Sequence, residues 1–176
     1  MIGKRGRGIG DSHDVAAAVG AAAAAGILAT VTMDAAMVAA TVVSRDAFSS
    51  ERLAPESIGR WAGGLLRGQC RHADITHDEP ARGELLLGLA THYATGIILT
   101  EAFLLSFRRS GRALAPAVAY GVATSVFPLF VLFPSLGYGP CGARSGEAGR
   151  MVRAMLVGHL AFGAGIGIWG RRLARR

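Results

Sequence analysis

Four long runs of apolar residues follow one another along the chain, with polar segments between them. A helix needs about 20 predominantly apolar residues to cross the hydrocarbon of a bilayer, and each run reaches that length. The third run contains prolines, which membrane helices tolerate when neighbouring helices satisfy the freed backbone groups. We predict an all-α polytopic membrane protein, a bundle of four transmembrane helices at about 15–44, 84–107, 113–136 and 151–169.

The longest polar segment, between the first and second runs, contains one further helical pattern. In the stretch PESIGRWAGGLLRGQ, apolar side chains recur on one helical face and arginines lie on the opposite face. The apolar set is Ile58, Trp61, Leu65 and Leu66, and the arginines are Arg60 and Arg67. This pattern is typical of a helix in the headgroup region with its tryptophan at the interface. We predict a short interfacial helix in the first outer loop.

The composition supports a bilayer as the solvent of this chain. Of its 176 residues, 51% are apolar and 18% are charged, whereas soluble domains carry about a quarter charged residues. The net charge of +7 raises nucleic acid as a partner. The basic residues lie at the ends of the apolar runs, however, and form no stripe. The expected partner is therefore the lipid bilayer and not nucleic acid.

The positions of the basic residues predict the direction of the chain, because cytoplasmic loops carry an excess of Lys and Arg. With the N-terminus inside, the segments 1–14, 108–112 and 170–176 hold ten basic residues in 26 positions. The opposite segments, 45–83 and 137–150, are nearly neutral. We predict a multi-pass protein of the bacterial inner (cytoplasmic) membrane, N-in and C-in.

The same reading predicts the domain organisation. It comprises a basic cytoplasmic N-terminal arm at 1–14, a single four-helix transmembrane domain at 15–170 and a basic cytoplasmic tail at 171–176. The start MIGKRGRG, followed by alanines, also resembles a secretory signal. The apolar run that follows has some thirty residues and no clear cleavage site, which is too long for a signal core. A cleaved signal is the alternative.

Three ionisable residues lie inside the predicted spans, on three different helices. At 1.5 Å per residue, His92 and His159 are roughly 12 Å below the outer end of their spans, and Asp34 is roughly 15 Å below. His92 lies between Gly88 and Gly96 on one face, where small residues let helices approach. Ionisable residues in spans usually face other helices and mark functional pathways. We therefore predict a polar cluster of Asp34, His92 and His159 in the outer half of the membrane.

The sequence leaves the chemistry of this cluster open. Two histidines and a carboxylate are suitable ligands for Zn²⁺, Cu²⁺ or Fe²⁺, and two histidines on separate helices suit haem iron. The same groups suit the transfer of a proton near neutral pH. Each histidine could instead only fix helix register through hydrogen bonds. Glu101, near the cytoplasmic end of its span, is expected to pair with Arg108 on the same face or to reach with its carboxylate toward the interface.

The first outer loop holds a second set of ligand-type side chains in the stretch CRHADITHDE. An ordinary solvated loop explains them best, because their spacing matches no zinc pattern. A metal site is the alternative, with His72 and Glu84 lying above the intramembrane cluster. Cys70 and Cys141 fall on the same predicted side, so they are candidates for a disulfide if that compartment is oxidising.

Four stretches with polar, glycine or proline landmarks occur in order along the chain: TMDAAMV, GRWAGGLLRGQCRHADI, GELLLGLATHYATGI and FPSLGYG. Together they resemble the pattern of a bacterial family of small, uncharacterised integral membrane proteins with about four spans, known only as a domain of unknown function. The resemblance runs from about residue 30 to residue 170. It implies the fold but no activity, cofactor or substrate. The family pattern includes positions that match Asp34, His72, Glu84, His92 and His159.

These observations favour a small ion-, proton- or metal-handling protein of transporter type that uses the intramembrane cluster. One alternative is a structural or accessory membrane subunit whose polar residues fix helix packing. The other is a membrane metalloenzyme, although no nucleophile elbow, phosphate loop, dinucleotide fingerprint or HExxH motif occurs. Four short spans enclose little volume, so we expect a homo-oligomer or a larger membrane complex.

Overall fold

The structure, a computed structural model, describes residues 10–44, 51–107 and 114–173, and all regular structure in these ranges is helical. The prediction of an all-α fold is confirmed. The helices are α1 (Gly10–Ser44), α2 (Pro55–Leu66), α3 (Glu84–Ser106), α4 (Leu114–Thr124), α5 (Phe133–Ser135) and α6 (Ala148–Leu173).

Within the part of the chain that the structure describes, four helical stretches are long and apolar enough to cross a membrane, which makes this a multi-pass membrane protein. They are Ala16–Val43, Glu84–Ser106, Leu114–Ser135 and Ala148–Leu173, and they coincide with the four predicted spans. The expected partner of Glu101, Arg108, lies outside the described residues, as do most residues of the basic arm and half of the tail. The division into arm, domain and tail therefore stays a prediction.

The spanning helices pack as antiparallel neighbours. Helix α1 contacts α3 and α6, and α6 also contacts α4. Glycine permits the closest approach, because a Cβ on Gly26 of α1 would lie 2.7 Å from the Cα of Ile97 in α3. The hydroxyl of Tyr120 in α4 donates a hydrogen bond of 2.9 Å to the carbonyl of Leu99 in α3. Close van der Waals packing and interhelical hydrogen bonds are what hold helices together in lipid.

The third span is interrupted where its prolines lie. Helix α4 ends at Thr124, a π-helical turn runs over Pro128–Leu132, and α5 follows. Pro128 has no N–H, so a carbonyl of the preceding turn loses its helical donor. The hydroxyls of Thr124 and Ser125 each donate to a backbone carbonyl three residues earlier, at 2.6 Å. These hydroxyls therefore bond to the carbonyls of Gly121 and Val122, in the turn just before the carbonyl that Pro128 leaves without its helical donor.

The predicted short helix is confirmed as α2, which lies across the first turns of α3. The two helices cross at a pair of glycines that allows their backbones to touch. A Cβ on Gly59 would overlap the carbonyl of Glu84, and a Cβ on Gly88 would overlap the carbonyl of Pro55. Helix α2 is therefore held against the end of a spanning helix by direct backbone contact at these two glycines.

The prediction that Arg60 belongs to a polar face of α2 directed away from the protein is wrong. Its side chain points into the protein. Its guanidinium donates to both carboxylate oxygens of Glu84 at 2.9 Å, and to the carbonyls of Ile75 and Asp78 at 2.6 and 3.0 Å. The physical reason is that the loop after α2 folds back over the helix. Its carbonyls need donors once they are removed from water, and the periodicity of α2 carries no information about them.

We define the α2 module as α2 together with residues 67–83 and 136–147. It covers one end of the spanning helices and shares an apolar core with the third span and α6. That core consists of Ile75, Leu129, Phe133, Leu136, Tyr138 and Met151. The N–H groups of His72 and Ile75 donate to the carbonyls of Ser135 and Leu136 at 2.8 and 3.0 Å. Backbone bonds therefore join the loop after α2 to the end of the third span.

Candidate functional site

An ionisable pair joins α1 to α3 within the spans. The Nε2 of His92 lies 3.0 Å from Oδ1 of Asp34, and the hydroxyl of Tyr93 donates to Oδ2 of Asp34 at 2.9 Å. Each carboxylate oxygen thus accepts one bond from α3. The contact follows from the close approach one turn away, where Gly96 leaves room for the hydroxyl of Thr30. Two of the three residues of the predicted cluster are brought together.

This pair lies at the surface of the helices and not in their centre. The side chain of Asp34 is 43% exposed and that of His92 is 25% exposed. Val31 and Val38, one turn before and after Asp34, are exposed as well, as is Leu89, one turn before His92. The carboxylate is therefore open to the outside of the helix bundle along the groove between α1 and α3, and its exposed neighbours there are aliphatic.

His159 occupies a different contact, between α6 and α4. Its Nδ1 lies 2.9 Å from the hydroxyl of Thr124, and the residue is buried. A Cβ on the preceding residue, Gly158, would lie 3.1 Å from the side chain of Met33, which is the neighbour of Asp34 in sequence. His159 is thus in the layer of the pair, with its ring nitrogen bonded to a hydroxyl of α4.

The predicted ligands do not assemble around one point. Among the residues that the structure describes, no three His, Cys, Asp or Glu side chains are grouped so that they could hold a metal ion. Asp34 and His92 bond to each other, while His159 bonds to Thr124. Metal and haem binding by this set stay predictions. The geometry itself is that of a carboxylate–imidazole pair.

Sequence reasoning missed Tyr93 and Thr124. A phenol near the middle of a span carries an O–H that needs a partner, and Tyr93 directly follows His92. The sequence therefore contained a signal for Tyr93, because two adjacent polar residues can reach toward the same neighbouring helix. Thr124 lies just before the proline break, where helical periodicity no longer predicts which face a residue shares. Its role could not be read from the pattern.

His72 and Glu84, the second predicted pair, lie in separate contacts. His72 belongs to the α2 module and Glu84 is the first residue of α3. Nδ1 of His72 is bonded to a carboxylate oxygen of Asp78, and its buried Nε2 has no hydrogen-bond partner among the described residues. Glu84 is bound by Arg60 and also accepts the N–H of Ala81 at 2.8 Å. The two side chains therefore form no common site.

The two cysteines are both free in the structure, with Cys70 exposed and Cys141 half-buried. Cys141 adopts a left-handed backbone conformation with φ 54°. Neither residue contributes to the pair between α1 and α3. The candidate disulfide between Cys70 and Cys141 is therefore not formed in the structure.

Arg60→Ala is expected to lower the free energy of unfolding by roughly 3 kcal/mol, because removing one partner leaves a buried charge uncompensated. Both side chains of the Arg60–Glu84 pair are only 12% exposed. Lysine at this position should recover little, since it cannot make the two-pronged contact with a carboxylate. The measurement is unfolding in mixed detergent micelles, with exposed Arg71→Ala as the matched control. Equal effects of Arg60→Ala and Arg71→Ala would contradict the assignment.

The stability of the α2 module should fall at alkaline pH because of Tyr138. Burial raises the pKa of Tyr138 to about 12 from 10.0, and the side chain is 1% exposed. The folded state therefore holds the phenol proton more tightly than the unfolded state does. Its contribution is complete below pH 10 and is lost as the pH rises toward 12, by about 2–3 kcal/mol. Unfolding of Tyr138→Phe should show a smaller loss between pH 9 and 11.5, and an identical loss in both proteins would contradict this.

The sequence model of a family described as protein of unknown function (DUF2938) matches residues 23–172, which is most of the chain. No curated protein matches the chain, and no solved structure matches it.

Proposed function

We propose that this chain, which belongs to the DUF2938 family, is a proton-handling membrane protein of transporter type. The working group is the Asp34–His92 pair between α1 and α3, with Tyr93 as its third member. The observation that carries the proposal is the N···O distance of 3.0 Å between Asp34 and His92, at a depth where ionisable groups are costly. Residues of this kind within spans are retained mainly where they serve ion or proton pathways.

The chemistry of the pair supports proton binding. An isolated charge is strongly disfavoured in hydrocarbon, so a carboxylate there needs a positive partner. Imidazole is the side chain that gains and loses a proton near neutral pH. When His92 is protonated the pair is neutral overall, and when it is not the carboxylate relies on hydrogen bonds from His92 and Tyr93. Protonation of one imidazole thus changes the net charge of the groove between α1 and α3.

We further propose that the protein lies in the bacterial inner membrane with both termini in the cytoplasm. The support is the excess of arginine in the segments before α1, between α3 and α4, and after α6. The pair then lies in the outer half of the bilayer, beneath the α2 module. A proton would reach it from the outer side by a shorter path than from the cytoplasm.

Infrared difference spectra of the protein in lipid bilayers test this proposal. A step from pH 8 to pH 5.5 should produce imidazole protonation signals that include one component from His92. His92→Gln should remove this component, whereas His77→Gln, in the exposed loop, should retain it. The same step should perturb a carboxylate band, and both His92→Gln and Asp34→Asn should abolish that perturbation. Spectra of His92→Gln identical to those of the unmodified protein would overturn the proposal.

A structural or accessory subunit is the second candidate, and interhelical hydrogen bonds that involve no ion pair favour it. Nδ1 of His159 bonds to Thr124, and Nε1 of Trp169 donates to the hydroxyl of Thr32 at 3.1 Å. If the Asp34–His92 bond has only this role, His92→Gln should lower stability by about 1 kcal/mol, typical of such bonds in membranes. The infrared spectrum would then lack a pH-dependent carboxylate signal that His92→Gln and Asp34→Asn remove.

A further inference from the structure

We propose that the Asp34–His92 pair binds a lipophilic organic cation, which arrives from the bilayer and replaces the proton on His92. This inference rests on the proposed function, because it assigns a substrate class to the same pair. It depends on a second observation, the exposure of the carboxylate on an aliphatic outer face of the helices.

The route to the site is lateral. The Asp34 side chain is 43% exposed, and the exposed residues on its own face of α1, Val31 and Val38, are aliphatic. A molecule that reaches the carboxylate along this face passes through acyl chains and not through water. A hydrated inorganic ion does not dissolve in acyl chains, so the ligand must carry its charge within an apolar shell.

The charges of the site select a cation. Each oxygen of Asp34 accepts one hydrogen bond, from His92 or from Tyr93, and an ionised carboxylate has about four acceptor positions. It therefore keeps lone pairs for a ligand on its exposed side. The phenol ring of Tyr93 is tied to the same carboxylate by its hydroxyl. Aromatic faces attract organic cations, so the ring adds a second favourable contact.

The requirement for neutrality in hydrocarbon makes the exchange one for one. With the carboxylate ionised, either a proton on His92 or a bound cation brings the net charge to zero, and both together leave one uncompensated positive charge. Binding of the cation therefore releases the proton of the imidazolium to water. No bond within the cation is formed or broken.

The other titratable and charged groups around His92 do not compete for this role. On α6, His159 is buried and its Nδ1 is bonded to the hydroxyl of Thr124. At the α2 end of α3, the charge of Arg60 is compensated by Glu84. Within α3, Tyr93 donates its hydroxyl proton to Asp34 and has no charge at neutral pH. The exchanged proton is thus assigned to His92.

Binding of tetraphenylphosphonium to the full chain in nanodiscs, measured by calorimetry, tests the inference. Titrations at pH 8 and at pH 5.5, each in two buffers of different ionisation enthalpy, count the protons released. The same series measures competition between the cation and the proton. We expect the affinity to fall severalfold between pH 8 and pH 5.5, because a proton bound to His92 competes with the cation. At a pH where His92 is protonated before binding, about one proton should be released. Partition into the lipid is measured with empty nanodiscs and subtracted. Tetraphenylborate, of the same shape and opposite charge, should show no binding beyond this partition.

Three variants separate the roles of the residues. Asp34→Asn should abolish binding of tetraphenylphosphonium, because the negative charge is lost. His92→Gln should retain binding while losing both proton release and pH dependence. Thr95→Val is the matched control on α3, since Thr95 is exposed at nearly the same depth and its hydroxyl bonds only to the carbonyl of Thr91. It should bind as the unmodified protein does.

The outcomes distinguish the two proposals. A pH-dependent infrared signal from the pair without binding of tetraphenylphosphonium would overturn the cation site and leave proton handling intact. Binding that survives Asp34→Asn, or that is matched by tetraphenylborate, would show only partition into lipid and would also overturn the site. A dimer that buries the groove between α1 and α3 against a second copy, with no cation bound, would do the same.

Discussion

Asp34→Asn is expected to weaken proton binding at His92 by roughly a hundredfold. Without the carboxylate, a protonated His92 is a lone charge within the span, which costs about 2.5–3.5 kcal/mol on insertion scales. Each 1.4 kcal/mol corresponds to a factor of ten in an equilibrium constant. Asparagine has nearly the same shape and still accepts a hydrogen bond, so the contact between α1 and α3 should persist. The effect is therefore on charge more than on packing.

Proton uptake in lightly buffered nanodiscs measures this effect. When the pH is lowered from 8 to 5.5, the Asp34→Asn protein should take up about one proton fewer per chain than the unmodified protein. Thr95→Val, which changes a polar residue of α3 outside the pair, should take up the same number as the unmodified protein. Equal uptake by Asp34→Asn and the unmodified protein would mean that His92 titrates independently of α1.

Gly88→Ala is expected to destabilise the protein by about 3 kcal/mol or more, the range of severe steric conflicts. The added Cβ would overlap the backbone carbonyl of Pro55, and a backbone group cannot turn aside as a long side chain can. Helix α2 would have to move away from α3. That movement would also separate Arg60 from Glu84, so the loss combines packing with an uncompensated charge.

Gly20→Ala in α1 is the matched control, since nothing lies within 4 Å of a Cβ at that position. Alanine is a better helix former than glycine by about 1 kcal/mol, so this change should be neutral or mildly stabilising. Displacement of α2 can be followed by the fluorescence of Trp61 in a Trp169→Phe background, because the chain has two tryptophans. Similar unfolding and fluorescence of the two glycine variants would show that the crossing of α2 and α3 is not tight.

The spans could be predicted because their physical cause is local. A helix in lipid satisfies its own backbone groups, so the length and polarity of each run are sufficient to identify it. The same holds for α2, whose apolar and polar residues recur with helical periodicity. Arg60 was misread because its acceptors, Glu84 and the carbonyls of Ile75 and Asp78, come from a loop that only the tertiary fold brings back over α2.

The membrane depth of the residues in the candidate site could be predicted from the sequence. The neighbouring helix that each of them faces could be predicted only in part. Counting residues from the span ends put Asp34 and His92 at one level, and the glycines beside His92 indicated a face in contact with another helix. Depth does not determine which neighbour each helix faces. For His159 that choice depends on the packing of Gly163 against Ala117 and Val118 in α4. His159 consequently meets Thr124, beside the proline break, instead of Asp34.

The most direct test of the central claim is the distance between the carboxylate of Asp34 and the imidazole of His92 in a lipid bilayer. Solid-state NMR of protein with ¹³C-labelled Asp carboxyl groups and ¹⁵N-labelled His rings measures it, although Asp–His contacts in the α2 module also contribute signals. We predict one carboxyl–imidazole contact, consistent with the N···O distance of 3.0 Å, that disappears in both Asp34→Asn and His92→Gln and persists in His72→Gln. A set of contacts that His92→Gln leaves unchanged would contradict the pairing of α1 with α3 through these residues.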